Sequence, residues 1–211
     1  KDKYNTPKYR LVARITGGRV IAQVISATTQ GDRVFAAADS QELRRFGLTT
    51  GLANYASAYA TGLLLARRLM KKVELADAYQ GVQKVDGADY DVNNHVGDRR
   101  PFKAVLDVGL KATTQGSKVF AVLKGATDGG LYVPHGVNKF PGYKKDGDEA
   151  AINKAHRERI VGAHIDGYIA KLKNNKQKLD LQFSKWNEAL TKSGAGSVKK
   201  LYLKIHEEVR K

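Results

Sequence analysis

Residues 9–38 alternate apolar and polar side chains with a period of two, and two turn signals divide the run into three strands. Tyr9 to Thr16 reads as a strand, and Gly17-Gly18 as a hairpin turn. Arg19 to Thr28 returns as a second strand, with Val20, Ala22 and Val24 on one side and Ile21, Gln23 and Ile25 on the other. Gln30-Gly31-Asp32 is the next turn, and Arg33 to Ala38 is a third, shorter strand. The fold class this predicts is mixed α/β, an antiparallel meander sheet packed with helices.

Thr49 or Thr50 is placed to cap a helix from about Gly51 to Lys72. Its interior is rich in Ala, Gly and Leu, small enough to lie close against a sheet. Arg67, Arg68, Lys71 and Lys72 sit at its carboxyl end, where the helix dipole favours cations. They are read as structural at least as readily as nucleic-acid-contacting. Residues 80–101 read as a surface loop, Phe102 to Leu110 as a strand and Ser117 to Thr127 as a helix, stopped by Asp128-Gly129-Gly130. Leu131 to Gly142 contains Pro134 and Pro141 and is expected to wrap the domain. Beyond Tyr143 helices are predicted near 151–172, 175–191 and 197–210, the middle one burying Leu179, Leu181, Phe183, Trp186 and Leu190. The chain is thus divided into an α/β domain over 1–142 and a helical, basic C-terminal appendage over 143–211.

The chain has 211 residues, with 37 Lys and Arg against 21 Asp and Glu. A net charge of +16 favours a polyanionic partner. Both parts are basic, since 143–211 holds 16 cations and 9 anions. The first fourteen residues carry Lys1, Lys3, Lys8, Arg10 and Arg14 against Asp2 alone, with Tyr4 and Tyr9 interleaved. Cations draw phosphate, Tyr rings stack on unpaired bases, and Asn and Thr reach sugar and phosphate oxygens. That mixture suits single-stranded or irregular RNA better than a membrane, which calls for bulkier apolar anchors. Two polar turns repeat the chemistry: Ser26-Ala-Thr-Thr-Gln-Gly-Asp-Arg33, and Lys111-Ala-Thr-Thr-Gln-Gly-Ser-Lys118 ahead of a helix start that favours an anion.

Other chemistry finds little footing. With no cysteine there is no disulfide, thiolate metal site or Cys nucleophile, which fits an intracellular home. The charged amino terminus does not look like a signal peptide, and no run of about 18 apolar residues would span a bilayer. Gly125-Ala-Thr-Asp-Gly-Gly130 lacks the Gly-Lys-Ser/Thr ending of a phosphate loop and reads as a helix stop. His95, His135, His156, His164 and His206 form no His-Glu-x-x-His; His156 and His164 fall two turns apart only if one helix covers both. His135 is expected to hydrogen-bond backbone, and Asp146 and Asp148 to sit in a solvated loop. No catalytic residue, metal, cofactor or small-molecule substrate is assigned.

Four segments resemble the eukaryotic large-ribosomal-subunit protein five family, which carries 5S ribosomal RNA and is the counterpart of bacterial large-subunit protein eighteen. They are Tyr4-Asn-Thr-Pro-Lys-Tyr-Arg-Leu-Val12, Tyr59-Ala-Thr-Gly-Leu-Leu-Leu-Ala-Arg-Arg68, Arg100-Pro-Phe-Lys-Ala-Val-Leu-Asp-Val-Gly-Leu110, and Leu123-Lys-Gly-Ala-Thr-Asp-Gly-Gly-Leu-Tyr-Val-Pro-His135 followed by Phe140-Pro-Gly142. The likeness is close over residues 3–143 and looser beyond. It implies a structural, non-enzymatic constituent of the large subunit that binds 5S rRNA and helps place it in the central protuberance. It implies as partners 5S rRNA, large-subunit rRNA, neighbouring ribosomal proteins and assembly factors, and as location the cytoplasmic ribosome after a nuclear or nucleolar assembly stage. The RNA-binding residues it implies are Lys3, Tyr4, Asn5, Thr6, Lys8, Tyr9, Arg10 and Arg14 of the arm and first strand, Gln23, Ser26, Thr28, Thr29 and Arg33 of the sheet and its turn, and Lys111, Thr113, Thr114 and Lys118. The family carries a longer, very basic amino-terminal extension, so part of the footprint is expected outside these residues. Its carboxyl region is often more acidic than residues 143–211. An RNA-modifying enzyme would need an acid, base or metal site, for which no motif is present; a protein-interaction module built on the helical tail is the other alternative.

Overall fold

The computed structural model describes residues 8–95, 99–145 and 147–211. The arm before Lys8 lies outside them, and with it Lys3, Tyr4, Asn5 and Thr6. Strands β1 (Tyr9–Ile15), β2 (Val20–Thr28) and β3 (Gly31–Asp39) form the expected antiparallel meander. A fourth strand, β4 (Val105–Asp107), adds to β1 in parallel, so the sheet is mixed with order β3-β2-β1-β4. It occupies three residues of the predicted Phe102–Leu110, because Leu110 beyond it is fully exposed and Lys103 instead makes an isolated bridge to Tyr132.

One face of the sheet is closed. Leu11 and Ala13 stand beside Val24 and Ala22, and these beside Ala36 and Ala38, all buried in one core. Two helices cover them: α1 (Tyr55–Lys72) and α2 (Lys118–Asp128). Helix α1 starts four residues later than expected. Its cap is Asn54, whose Oδ1 accepts from Ser57 N–H at 2.7 Å, rather than Thr49 or Thr50. It lies against the sheet as predicted, and its glycine also serves a second neighbour. A Cβ at Gly62 would collide with the Val122 carbonyl, and one at Gly125 with that of Tyr59, so the glycines let α1 and α2 approach backbone to backbone.

Helices α3 (Glu149–Ile160), α4 (Ala163–Leu172), α5 (Lys176–Ser193) and α6 (Val198–Arg210) follow. The predicted helix over 151–172 is two, broken where Gly162 takes a left-handed φ of 74° beside the Tyr202 ring. Helix α6 returns to pack on α1, and Val198, Leu201, Tyr202, Ile205 and Val209 join the same core as the sheet. Asp166 of α4 caps it from outside, accepting from the Val198 and Lys199 amides at 2.9 and 3.0 Å and from Ser197 Oγ at 2.8 Å. Residues 80–95 are not simply surface, since Val85 and Val92 reach the core. On α5 only Phe183 and Ala189 are buried, and Leu181 is 83% exposed. Leu181 lies two residues from both Leu179 and Phe183, about 200° round the helix from either, and so points away.

Buried polar groups tie α1, α2 and α6 together. Asp128, in the sequence a residue of a helix stop, is fully buried with Lys124 one turn before it at 2.5 Å, and it accepts from Tyr59 Oη at 2.7 Å. Burial raises its carboxyl pKa, against the pull of Lys124 and of the Tyr59 hydrogen bond. Arg67 donates to the carbonyls of Tyr79, Gly129 and Ala76. Arg68 pairs with Glu42 and reaches the Ala37 carbonyl, Lys72 bonds the Phe35 carbonyl, and Lys71 reaches Lys211. All four cations therefore have a structural role in the fold.

Candidate nucleic-acid interface

The helices that pack on the sheet cover the face of Leu11, Ala22 and Ala36. The opposite face carries the alternate residues, in cross-strand rows of Val105, Arg10, Ile25 and Val34, then Asp107, Val12, Gln23 and Ala37. Val105 and Val34, at the two ends of the first row, are 56% and 48% exposed, whereas Ile25 and Val12 between them are buried, so this face is open at its edges. The alternation that buries Leu11 and Ala13 necessarily sends Arg10 and Arg14 outward.

Neither arginine is free there. Arg10 bridges Asp32 at 2.6 Å and Asp107 at 2.9 Å, and Arg14 reaches Asp107 at 3.0 Å. Asp107 is the hub: burial works to raise its pKa, but the Gly109 N–H and the two guanidinium groups hold it below the ordinary carboxylate value. Arg10 is raised, chiefly by its hydrogen bond to Asp32. These pairs are largely solvent-exposed, and such pairs contribute about 0–1 kcal/mol each. They fix the guanidinium planes at little stability, so a phosphate can replace a carboxylate at little cost. An isolated Asp inside the apolar run Ala104-Val-Leu-Asp-Val108 was the sequence signal for this hub.

The remaining predicted residues separate into two groups. Tyr9 stands opposite Ser26 at one end of the sheet, near Lys8 and the β2–β3 turn that holds Thr28, Thr29 and Arg33. Lys8, Thr29 and Arg33 are exposed, whereas Ser26 is buried. Thr28 Oγ1 donates to the Gly31 carbonyl at 2.7 Å and locks its own turn. The Tyr9 ring packs at 4.6 Å from Phe102 and 5.6 Å from Phe35, the extra residue of a bulge in β3, so its ring already has aromatic neighbours. Lys111, Thr113, Thr114 and Lys118 are exposed at the other end, where β4 leads out past the tip of the β1–β2 hairpin. The seven residues of β1 separate the two turns by roughly 20 Å. The fold therefore does not gather them at one point; it strings them along a strip with Arg10, Arg14 and Gln23 between.

His135 and His156 hold structure. His135 Nδ1–H donates to the Val133 carbonyl at 2.7 Å, and its Nε2 lies 3.2 Å from Asp89. Burial works against its charge, but those partners raise its pKa. His156 is buried between Tyr55 Oη and the Gly87 carbonyl, and burial lowers its pKa to about 4. It sits on α3 and His164 on α4, so no one helix carries both. Among the described residues no cluster of three metal-ligating side chains occurs. Among the described residues no helix is long and apolar enough to cross a membrane. Asp148, read as a loop acid, caps α3 through the Ala150 amide.

Residues 1–136 match the family described as ribosomal large subunit proteins 60S L5 and 50S L18. Over its whole length the chain is similar to proteins named large ribosomal subunit protein uL18. That of Tetrahymena thermophila is 54% identical, with 100% of this chain and 72% of that protein covered. Those of Eimeria tenella and Caenorhabditis elegans are each 48% identical, with 100% of this chain and 68% and 71% of theirs covered.

Proposed function

The chain belongs to the family of ribosomal large subunit proteins 60S L5 and 50S L18, and from that premise we propose that it is a structural constituent of the large ribosomal subunit that binds 5S rRNA and helps incorporate it into the central protuberance. Its partners are then 5S rRNA, large-subunit rRNA, adjacent ribosomal proteins and assembly factors, met in the nucleus or nucleolus before the ribosome works in the cytoplasm. The RNA-binding strip lies within residues 1–142. Helices of 143–211 close the core behind it and extend the basic surface.

One observation carries this reading: the sheet face opposite the helices is the one bearing Arg10 and Arg14, held in orientation by the exposed Asp32 and the part-buried Asp107. A folded RNA presents phosphates in a fixed array, and a preset row of guanidinium groups loses little freedom in meeting it. Affinity is then dominated by counterion release, and selectivity by shape and stacking on unpaired bases. The test is a titration of 5S rRNA with the Lys8→Ala, Arg10→Ala double variant. Binding weakens, and the slope of log affinity against log salt shrinks by about 2. An unchanged slope removes this strip from the interface.

A further inference from the structure

A second basic surface lies away from the sheet face, and its chemistry differs from it. The hairpin tip at Gly17-Gly18, the lead-ins to α1 and α2, and the sides of α3, α4 and α5 enclose a groove of about 1310 Å³. It continues past Gly51, Asn54, Arg159 and His164 into a further space of about 840 Å³ beside Phe183 and Trp186. Both spaces are open to solvent and run into one another, a shape that suits an extended ligand. Lys118, Lys144, Arg159, Lys171 and Lys185 line it.

Among the described residues none of those five cations pairs with a carboxylate, whereas Arg10, Arg14, Arg19 and Arg68 all do. Among the described residues the only acid on the groove wall is Glu158. Like charges gathered round a cavity without counter-charge repel one another and concentrate anions between them. The starts of α2 and α4 face the same space, and neither has a side-chain cap: Ser117 makes no capping bond and Gly162 has no side chain. Their first amides add to the positive potential. Tyr143, Tyr168 and Trp186 supply flat rings along the wall.

We infer that this groove holds a second stretch of RNA sugar-phosphate backbone, with Arg159 and Lys185 as its central phosphate contacts. An acidic protein segment would satisfy the charge alone, while RNA uses both the cations and the rings. Lys118 belongs to the groove and to the polar turn at the end of the sheet, so one RNA can run from the strip into the channel. The inference rests on the proposed RNA-binding role for its ligand, but Lys144, Arg159, Lys171 and Lys185 are residues that role does not assign.

The test uses the full 211-residue chain and the Arg159→Gln, Lys185→Gln double variant, beside Lys8→Ala, Arg10→Ala. The probes are 5S rRNA, a short oligouridylate and a polyglutamate peptide, each titrated over a range of salt. The groove variant is expected to bind both RNAs about tenfold or more weakly, with a salt slope smaller by about 2, and to melt like the parent because both side chains are exposed. Parent-like affinity and slope for both RNAs, or a loss confined to polyglutamate, overturns the inference. If the parent chain ignores 5S rRNA but loses oligouridylate binding in the groove variant, the 5S reading fails and the groove stands. If the parent binds neither RNA, both fail.

Discussion

Helices α5 and α6 close the chain as two basic helices with an apolar stripe each, and the fold treats them oppositely. On α5 the stripe is Leu179, Phe183, Trp186 and Leu190; on α6 it is Val198, Leu201, Tyr202, Ile205 and Val209. The α6 stripe is buried throughout, against α1, whereas on α5 only Phe183 of that stripe is buried. A period of 3.6 identifies which side of a helix seeks cover, but not how much cover its neighbours provide. Helix α1 has a side left bare by the sheet and α2, and α6 fills it. Helix α5 meets mainly α4, itself half-exposed, and keeps its cations near the groove.

Four measurements test that contrast. Tyr202→Ala empties the centre of the α6 contact and removes the hydroxyl held by the Asn54 side chain, the same side chain that caps α1. It is expected to cost about 3–5 kcal/mol in denaturant unfolding; a loss below about 1 kcal/mol would show α6 to be peripheral.

Acid is next. His206 of α6 is buried against Tyr59 with neither ring nitrogen hydrogen-bonded, and burial, reinforced by Arg210, lowers its pKa to about 3. With His156 lowered to about 4, the unfolded chain takes up protons before the folded one does. Their contribution to stability is whole above the ordinary histidine value of 6.5 and falls as pH drops towards the folded values. Each costs on the order of 2 kcal/mol between about pH 6.5 and about pH 4.5. His206→Leu is expected to flatten the melting temperature against pH without loss at neutral pH, since it removes unpaired polar atoms. A pH dependence identical to the parent's would show that His206 already holds its proton when folded.

Asp166→Ala removes the cap on α6 supplied by α4 and should cost about 0.5–2 kcal/mol. If the same change costs nothing, α6 holds its place by packing alone. The smallest effect is on α5: Leu181→Ala is expected to stay within about 0.5 kcal/mol. A larger loss would mean that the exposed side of α5 is covered.

Legibility followed the range of the interaction. The three-strand meander, the glycine stop after α2 and the backbone bond of His135 were read correctly because each depends on residues a few positions apart. The cap of α1 was misplaced because Asn54, Thr50 and Thr49 are chemically equivalent candidates, and the choice fell to Asn54, which also holds Tyr202. Gly62 was seen as a small helix residue, but its partner Gly125 is 63 positions away and no periodicity links them. The arginines of the sheet were visible as cations, and their neutralisation by Asp32 and Asp107 was not, because β4 reaches β1 only through the crossover. Of the groove cations only Lys118 stood out, as part of a polar turn; those of α3, α4 and α5 could not be grouped with it, since each alone resembles an ordinary solvated lysine or arginine.

The amino-acid order by itself settled the local elements, the excess of positive charge and, through a few contiguous runs, the kinship of the chain. Backbone propensity and side-chain period act over a handful of residues, so they survive reading in one dimension. Only the tertiary structure decided which charges are neutralised and which stand open, because electrostatic energy depends on separation in space and on access to water, and both are properties of packed surfaces.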